Sequence, residues 1–171
     1  MPPPFPIQIA GGGLAGLTLG IALRRQDVPV TIFEAGRYPR HRVCGEFING
    51  RGVEVLETLG LKRKLFDAGA FSAETAAFFI GRSQSPARRL PRPAVCLSRF
   101  VMDELLAAEF QRLGGDLRLG SRWQNDFGEG VVRATGRRLH SPADGCHWFG
   151  LKAHAANVSL AADLEMHLLD N

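Results

Sequence analysis

Residues 7–25 read IQIAGGGLAGLTLGIALRR, and the meaning of this stretch decides the fold. No charged side chain stands between Phe5 and Leu23, and glycine recurs at Gly11, Gly12, Gly13, Gly16 and Gly20. A run of this kind is a membrane anchor, a signal peptide or a loop built to hold a phosphate. About 20 apolar residues suffice to cross a bilayer, and the Gly16-to-Gly20 spacing mimics a small-xxx-small helix-pairing face. A signal peptide would carry a basic segment before its apolar run, but here Met1 is followed by three prolines. The next residues decide the matter. VPVTIFEA, residues 28–35, holds β-branched residues and Phe and ends beside an acid, Glu34. The chain therefore parses as a strand over about 7–10, a glycine turn, a helix over about 14–26 and a strand over about 30–33.

This is a βαβ unit with Gly11-x-Gly13-x-x-Gly16 at its first turn, the context in which that motif denotes dinucleotide binding. Gly11 permits the tight turn out of the strand. Gly13 lacks a Cβ, so the backbone can approach a pyrophosphate, and Gly16 lets the helix lie close to the sheet, with Gly20 extending that contact. The helix start, at Leu14 and Ala15, aims free N–H groups and the positive dipole end at the phosphate. Glu34 follows Gly16 by 18 residues and closes the second strand, where its carboxylate can accept both hydroxyls of an adenosine ribose.

The bulk numbers agree with a soluble α/β domain. At 171 residues, 45% apolar and 22% charged, the chain can bury a sizeable core. The net charge of +4 comes from scattered arginines, with small clusters near Arg24, Arg63 and 87–93. No run reaches five like charges and no aromatic interleaving accompanies them, so solvated surface and an anionic cofactor are expected rather than nucleic acid. Cys44, Cys96 and Cys146 are odd in number and far apart, which suits a reducing, cytoplasmic setting. No ligand spacing indicates a metal, and no transmembrane segment is expected.

Downstream, 36–50 reads as a loop, and RGVEVLETLGL as a helix with Val53, Leu56 and Leu59 on one face, closed by Gly60. A short helix is expected over 62–68. Strands are expected over 76–81 and 94–98, joined by a turn-rich basic link that suits a hairpin. SRFVMDELLAAEFQRLGG is the clearest second helix, begun by Ser98 or Arg99 and stopped by Gly114 and Gly115, with Val101, Leu105, Leu106, Ala108 and Leu113 as its apolar stripe. DLRLG and VVRATG read as strands around a polar, irregular 121–130. HWFGLKAHA and VSLAADLEMHLLD read as two closing strands.

Three blocks together resemble the N-terminal part of the FAD-dependent monooxygenase and reductase superfamily with the p-hydroxybenzoate hydroxylase fold. Within it the chain is most similar to the geranylgeranyl reductase and flavin-dependent halogenase branch. The blocks are the glycine fingerprint through Ala35, YPRHRVCGEFINGRGVEVLETLGL with its Arg42-x-Cys44-Gly45-Glu46 core, and LSRFVMDELLAAEFQRLGGDLRLG with Arg99 and Asp103. ATGRR and FGLKAH extend the likeness.

The resemblance implies a Rossmann-like α/β FAD-binding domain over 7–140 with inserted strands at about 74–98. It also implies a flexible N-terminus over 1–6 and the start of a substrate-domain sheet over 141–171. It places Gly11, Gly13, Leu14, Ala15 and Gly16 at the FAD pyrophosphate, Glu34 and Ala35 at the adenosine ribose, Arg42, Cys44 and Gly45 on a loop near the flavin, and Arg99 against the cofactor. Glu46 reads as a flavin-side acid or a loop charge. Lys152 and His154 alternate on the expected strand in structural or substrate-lining positions. NADH or NADPH is the implied reductant, and the implied substrate is a small lipid-like or aromatic molecule. No catalytic residue is assignable.

The sequence departs from the family in three places. It lacks the later Gly-Asp segment, so the domain reads as incomplete at its C-terminus. The segment 121–130 is too short for the family's β-meander, which predicts an uncovered apolar sheet face and self-association or a complementary chain. Thr135-Gly136 stands where Asp-Gly is common. An NAD-dependent Rossmann dehydrogenase and a non-catalytic half-domain are the competing expectations.

Overall fold

The computed structural model describes residues 5–136 and 149–169. The N-terminal prolines, Cys146 and the first two residues of HWFGLKAHA lie outside them. In chain order the elements are β1 (Ile7–Ala10), α1 (Leu14–Arg24), β2 (Val30–Glu34), β3 (Phe47–Ile48), α2 (Arg51–Thr58), α3 (Lys62–Asp67), β4 (Phe71–Ile80), β5 (Ser83–Gln84), β6 (Arg88–Cys96), α4 (Arg99–Arg112), β7 (Asp116–Leu119), β8 (Val131–Arg133) and β9 (Leu164–Leu168). The chain divides into two compact units, one ending at Arg42 and resuming at Arg99, the other taking Val43–Ser98 and resuming at Gly150.

The first unit is an α/β layer on an all-parallel sheet in the order β7-β2-β1-β8. Numbered within this sheet the order is third, second, first, fourth, the beginning of the doubly wound pattern. The helix-facing side chains of β1 and β2, Ile9 and Ile32, are fully buried with Leu17 and Ile21 of α1 and Met102, Leu106 and Phe110 of α4. Gly20 makes the two-helix layer possible, because a Cβ there would lie 2.8 Å from Ile32 and 2.9 Å from Phe110.

The apolar stripe expected on α4 is displaced. Met102, Asp103, Leu106, Ala107, Glu109 and Phe110 are buried, Val101 and Leu105 only partly, and Ala108 is exposed. Counting apolar residues alone misplaced the face because two of its members are acids held by arginine. Asp103 takes both ends of Arg99 at 2.7 and 2.8 Å, and Glu109 takes Arg112 at 2.7 and 2.8 Å with Arg25 at 3.5 Å.

The other sheet face is not the bare apolar surface expected from the short 121–130 segment. Strand alternation puts Gln8, Ala10, Thr31, Phe33, Asp116, Arg118, Val131 and Arg133 there, so the face is mixed, with Ala10, Phe33 and Val131 among polar and charged side chains. Trp123 of the short segment sets its edge on Phe33, with ring centroids 5.0 Å apart, while Arg118 lies over Phe33 at 5.2 Å and Arg133 over Phe127 at 5.5 Å. Among the described residues, the Trp123 wedge and the Arg118 and Arg133 side chains lie against this face.

The second unit is a mixed sheet in the order β3-β6-β4-β5, with β9 parallel on the other side of β4. Val53, Leu56 and Leu59 are buried as the spacing predicts, and Gly60 at φ 56 closes α2 while the Leu61 N–H reaches Leu56 O at 2.8 Å. The strand expected over 94–98 begins instead at Arg88 and runs through two prolines. It can do so because the β4–β6 ladder shifts between Ala73 and Thr75, and Pro91 and Pro93 fall in the unpaired interval.

The Asp163 carboxylate serves the irregularity. Its Oδ2 accepts the Glu74 N–H at 2.8 Å, the Thr75 N–H at 2.9 Å and the Thr75 hydroxyl at 2.9 Å, just ahead of β9. These bonds hold its carboxyl below the ordinary value. Asp163→Ala is expected to release β9, read as faster amide exchange at Glu74, Thr75 and 164–168 with exchange in β1 and β2 unchanged.

The strand expected over HWFGLKAHA is absent from its described part, 149–155. Phe149 and Leu151 are 87% and 97% exposed, and the alternation serves Glu46 rather than a ladder. No helix among the described residues is long and apolar enough to cross a membrane; α1 stops after 11 residues.

Candidate functional site

In the first unit the glycine loop leaves the carboxyl end of β1, where parallel α/β sheets take their ligands. Gly11 sits at φ 113, and a Cβ there would lie 2.3 Å from the Ala134 carbonyl oxygen. Gly16 is tighter still, with its virtual Cβ 1.9 Å from the Gly11 carbonyl oxygen. Gly13 differs from both. It is the N-cap of α1 at φ −83, no side chain caps the helix, its first turn holds no acid, and no atom lies within 4 Å of where a Cβ would stand. The N–H groups that open α1 at Leu14, Ala15 and Gly16 therefore face an uncrowded space at the positive end of the helix dipole.

Glu34 ends β2 beside this loop and is 4% exposed. Its Oε2 accepts the Gly12 N–H at 2.9 Å, and its Oε1 accepts the Gly36 N–H at 2.7 Å and faces Arg40 at 2.8 Å. Burial alone would raise its pKa, but the Gly36 bond, Arg40 and the Gly12 bond outweigh burial and hold it below the ordinary 4.5. A carboxylate offers about four acceptor directions, so these three partners leave room on Oε2 for one more hydroxyl. The sequence reading of two ribose hydroxyls on Glu34 thus requires Arg40 to yield its place.

Tyr38 and Arg40 are the residues that sequence reasoning missed. The Tyr38 hydroxyl donates to the Gly12 carbonyl and occupies the space a Cβ on Gly12 would fill. Burial first, and then the Glu34 charge, push its phenol far above the usual 10, so it remains a donor. Arg40 lies over the Tyr38 ring at 5.6 Å, and its buried Nε has no hydrogen-bond acceptor among the described residues. The available signal was thin, the chain's single tyrosine four residues after the strand-end acid.

Arg99 starts α4 with its guanidinium fixed by the fully buried Asp103. Arg42 and Ala35 are exposed. Gly11, Gly13, Leu14, Ala15, Gly16, Glu34, Ala35, Arg42 and Arg99 all belong to the first unit, whereas Cys44 and Gly45 belong to the second.

In the second unit, Val43, Cys44, Gly45, Glu46, Leu151, Lys152, Ala153 and His154 line a cleft of about 450 Å³. Glu46, at φ 56, is its hub. Its carboxylate pairs with Lys152 on Oε1 and with His154 at 3.1 Å on Oε2, and accepts the Ser98 hydroxyl at 3.1 Å. Its own N–H points to the Cys44 sulfur at 3.4 Å. Lys152 and His154, read from sequence as a structural pair, are thereby joined to the Arg42-x-Cys44-Gly45-Glu46 segment.

The βαβ geometry, the open cradle at Gly13 and the buried acid at the end of β2 define a dinucleotide-binding α/β protein. The chain belongs to the FAD binding domain family, which it matches over residues 5–144. It is 27% identical over 136 residues to conditioned medium factor receptor 1 of Dictyostelium discoideum, covering 71% of this chain and 26% of that protein. Its fold is similar to that of PqsL, a probable FAD-dependent monooxygenase from Pseudomonas aeruginosa, with a TM-score of 0.62 at 15% identity over 72% of this chain and 35% of that one. The tetrameric form of 2-methyl-3-hydroxypyridine-5-carboxylic acid oxygenase gives a TM-score of 0.61 at 26% identity, covering 70% and 32%. The chain thus spans about a quarter of that curated relative and about a third of these solved chains.

The residues present fit the adenosine diphosphate end of FAD. Gly13 offers a cradle that a Cβ would fill, α1 presents uncapped N–H groups, and Glu34 retains an acceptor direction for one hydroxyl.

Proposed function

We propose that this chain supplies the FAD-anchoring portion of a flavin-dependent oxidoreductase of the monooxygenase or reductase type. The observation that carries the reading is the open space at Gly13 in front of an uncapped helix, with a buried carboxylate one strand away. Gly11, Gly13, Leu14, Ala15 and Gly16 line the pyrophosphate in this reading, and Glu34 with Ala35 takes the adenosine ribose. Arg99, fixed by Asp103, is directed to the cofactor, and Arg42, Cys44 and Gly45 form the loop assigned to the flavin end. Bound FAD supplies the electron transfer, while the protein binds, orients and shields it.

The finer assignment is a geranylgeranyl reductase-like or halogenase-like member that uses NADH or NADPH as reductant and takes a small lipid-like or aromatic substrate. It is supported by the Arg42-x-Cys44-Gly45-Glu46 segment and by the Lys152 and His154 side chains gathered on Glu46. A second reading, in which a complementary chain completes the enzyme, keeps the same site and differs only in turnover.

The test is the visible flavin absorbance retained after FAD is added to the purified chain and the mixture is desalted. The wild-type chain is expected to keep the flavin. Gly13→Ala, which meets no atom in the protein, should cost less than about 1 kcal/mol of stability yet weaken FAD binding at least about tenfold. A wild-type chain that stays colourless at saturating FAD, or a Gly13→Ala chain that holds it equally well, overturns the proposal.

A further inference from the structure

The chain's single tyrosine closes a ring of contacts that begins and ends on Gly12. The Gly12 N–H donates to Glu34 Oε2 at 2.9 Å, and Glu34 Oε1 faces Arg40 at 2.8 Å. The Arg40 guanidinium lies 5.6 Å from the centre of the Tyr38 ring, and the Tyr38 hydroxyl donates to the Gly12 carbonyl. Both polar backbone groups of Gly12 are thereby held, one by the last residue of β2 and one by the segment after it. The ring also accounts for a glycine that the motif does not demand. Gly12 stands at the open position between Gly11 and Gly13, yet a Cβ there would lie 2.2 Å from the Tyr38 oxygen and 3.0 Å from Glu34 Cβ.

This clamp sets the direction of the next N–H. The Gly12–Gly13 peptide is trans, so its C=O and N–H point opposite ways. Fixing the Gly12 carbonyl on Tyr38 therefore turns the Gly13 N–H away from the tyrosine. No described residue accepts that N–H, and those of Leu14 and Ala15 follow it at the uncapped start of α1. The peptide has glycine on both sides, and glycine allows it to rotate and reverse its N–H. An anion at a helix start needs donors that converge on it. A donor held in place beforehand saves the cost of ordering it when the ligand binds. Burial and the Glu34 charge push the Tyr38 phenol upward, so the hydroxyl keeps the proton that it donates.

We infer that Tyr38 is a positioning residue for the pyrophosphate of the dinucleotide, its hydroxyl fixing the Gly12–Gly13 peptide so that the Gly13 N–H is presented to a phosphate oxygen before the ligand arrives. The inference rests on the proposed reading of the glycine loop as the FAD pyrophosphate cradle.

Calorimetric titration of the wild-type chain and of Tyr38→Phe, with ADP directly and with adenosine by displacement of ADP, tests it. ADP carries the pyrophosphate that this peptide serves, whereas adenosine carries only the ribose and the base. Tyr38→Phe is expected to weaken ADP binding at least about fivefold and adenosine binding less than about twofold. A loop loosened as a whole would lose both alike. Gly12→Ala should weaken ADP binding in the wild-type chain and weaken it less when added to Tyr38→Phe, because the hydroxyl it displaces is already gone. Equal ADP affinities for the wild-type and Tyr38→Phe chains, equal losses of ADP and adenosine binding, or additive effects of the two substitutions would overturn the positioning role alone. A wild-type chain that binds no ADP would overturn the FAD reading beneath it as well.

Discussion

Gly16→Val will unfold the first unit while Gly13→Ala leaves it standing, although both glycines belong to the same short motif. The difference lies in what surrounds each position. A Cβ on Gly16 would meet the Gly11 carbonyl oxygen at 1.9 Å and its carbon at 3.1 Å, both backbone atoms, and Ile9 at 3.2 Å. Backbone atoms cannot rotate aside as a side chain can. The conflict would drive α1 off the sheet, opening the fully buried contacts of Leu17 and Ile21. Overpacking of this kind costs about 3 kcal/mol or more, a large fraction of the stability of a domain this size. Urea denaturation followed by far-ultraviolet circular dichroism should show the midpoint for Gly16→Val shifted far toward zero denaturant. An unchanged midpoint would mean that the helix does not lie where its contacts put it.

Glu34→Gln is expected to have the second largest effect, and it also sets the acid limit of the fold. The native carboxylate accepts N–H groups from Gly12 and Gly36 and faces Arg40. Glutamine keeps the shape but places donor hydrogens against donors on one side. The expected loss is about 2–3 kcal/mol, less than for a wholly buried pair because the Arg40 side chain is 21% exposed. Because folding lowers the Glu34 pKa from 4.5, its contribution is present above that value and fades as the pH falls through the lower folded value. Thermal midpoints should therefore fall from about pH 4.5 downward in the wild-type chain. They should fall less steeply in Glu34→Gln, with the two curves converging in acid. Parallel curves would show that Glu34 is not the group responsible.

The sequence was most informative where local chemistry is short-ranged. The βαβ unit was legible from end to end because glycine, β-branched residues and the strand-end acid each demand their places within 30 residues. The close of α2 at Gly60 was legible for the same reason. The α4 face was not, since Asp103 and Glu109 are buried only because Arg99, Arg112 and Arg25 reach them. Periodicity weighs each residue by its own polarity and cannot see such partners. β6 was shortened in the reading because proline normally ends a ladder, and only the register shift opposite Ala73 and Thr75 makes room for Pro91 and Pro93.

At the candidate site, the motif spacing marks Gly11, Gly13, Gly16 and Glu34, whereas Tyr38 and Arg40 fall in a stretch that reads as loop. Their roles rest on reaching Gly12 and Glu34, 26 and 6 residues earlier in the chain, which no short motif encodes.

The most direct measurement is calorimetric titration of the purified chain with FAD, with ADP and with riboflavin in parallel. In the proposed reading the glycine loop and Glu34 address the adenosine diphosphate end, so ADP should bind with a large share of the affinity for FAD and riboflavin should give no measurable heat. Riboflavin binding as tightly as FAD while ADP does not bind would contradict the assignment of the pyrophosphate cradle to Gly13 and the start of α1.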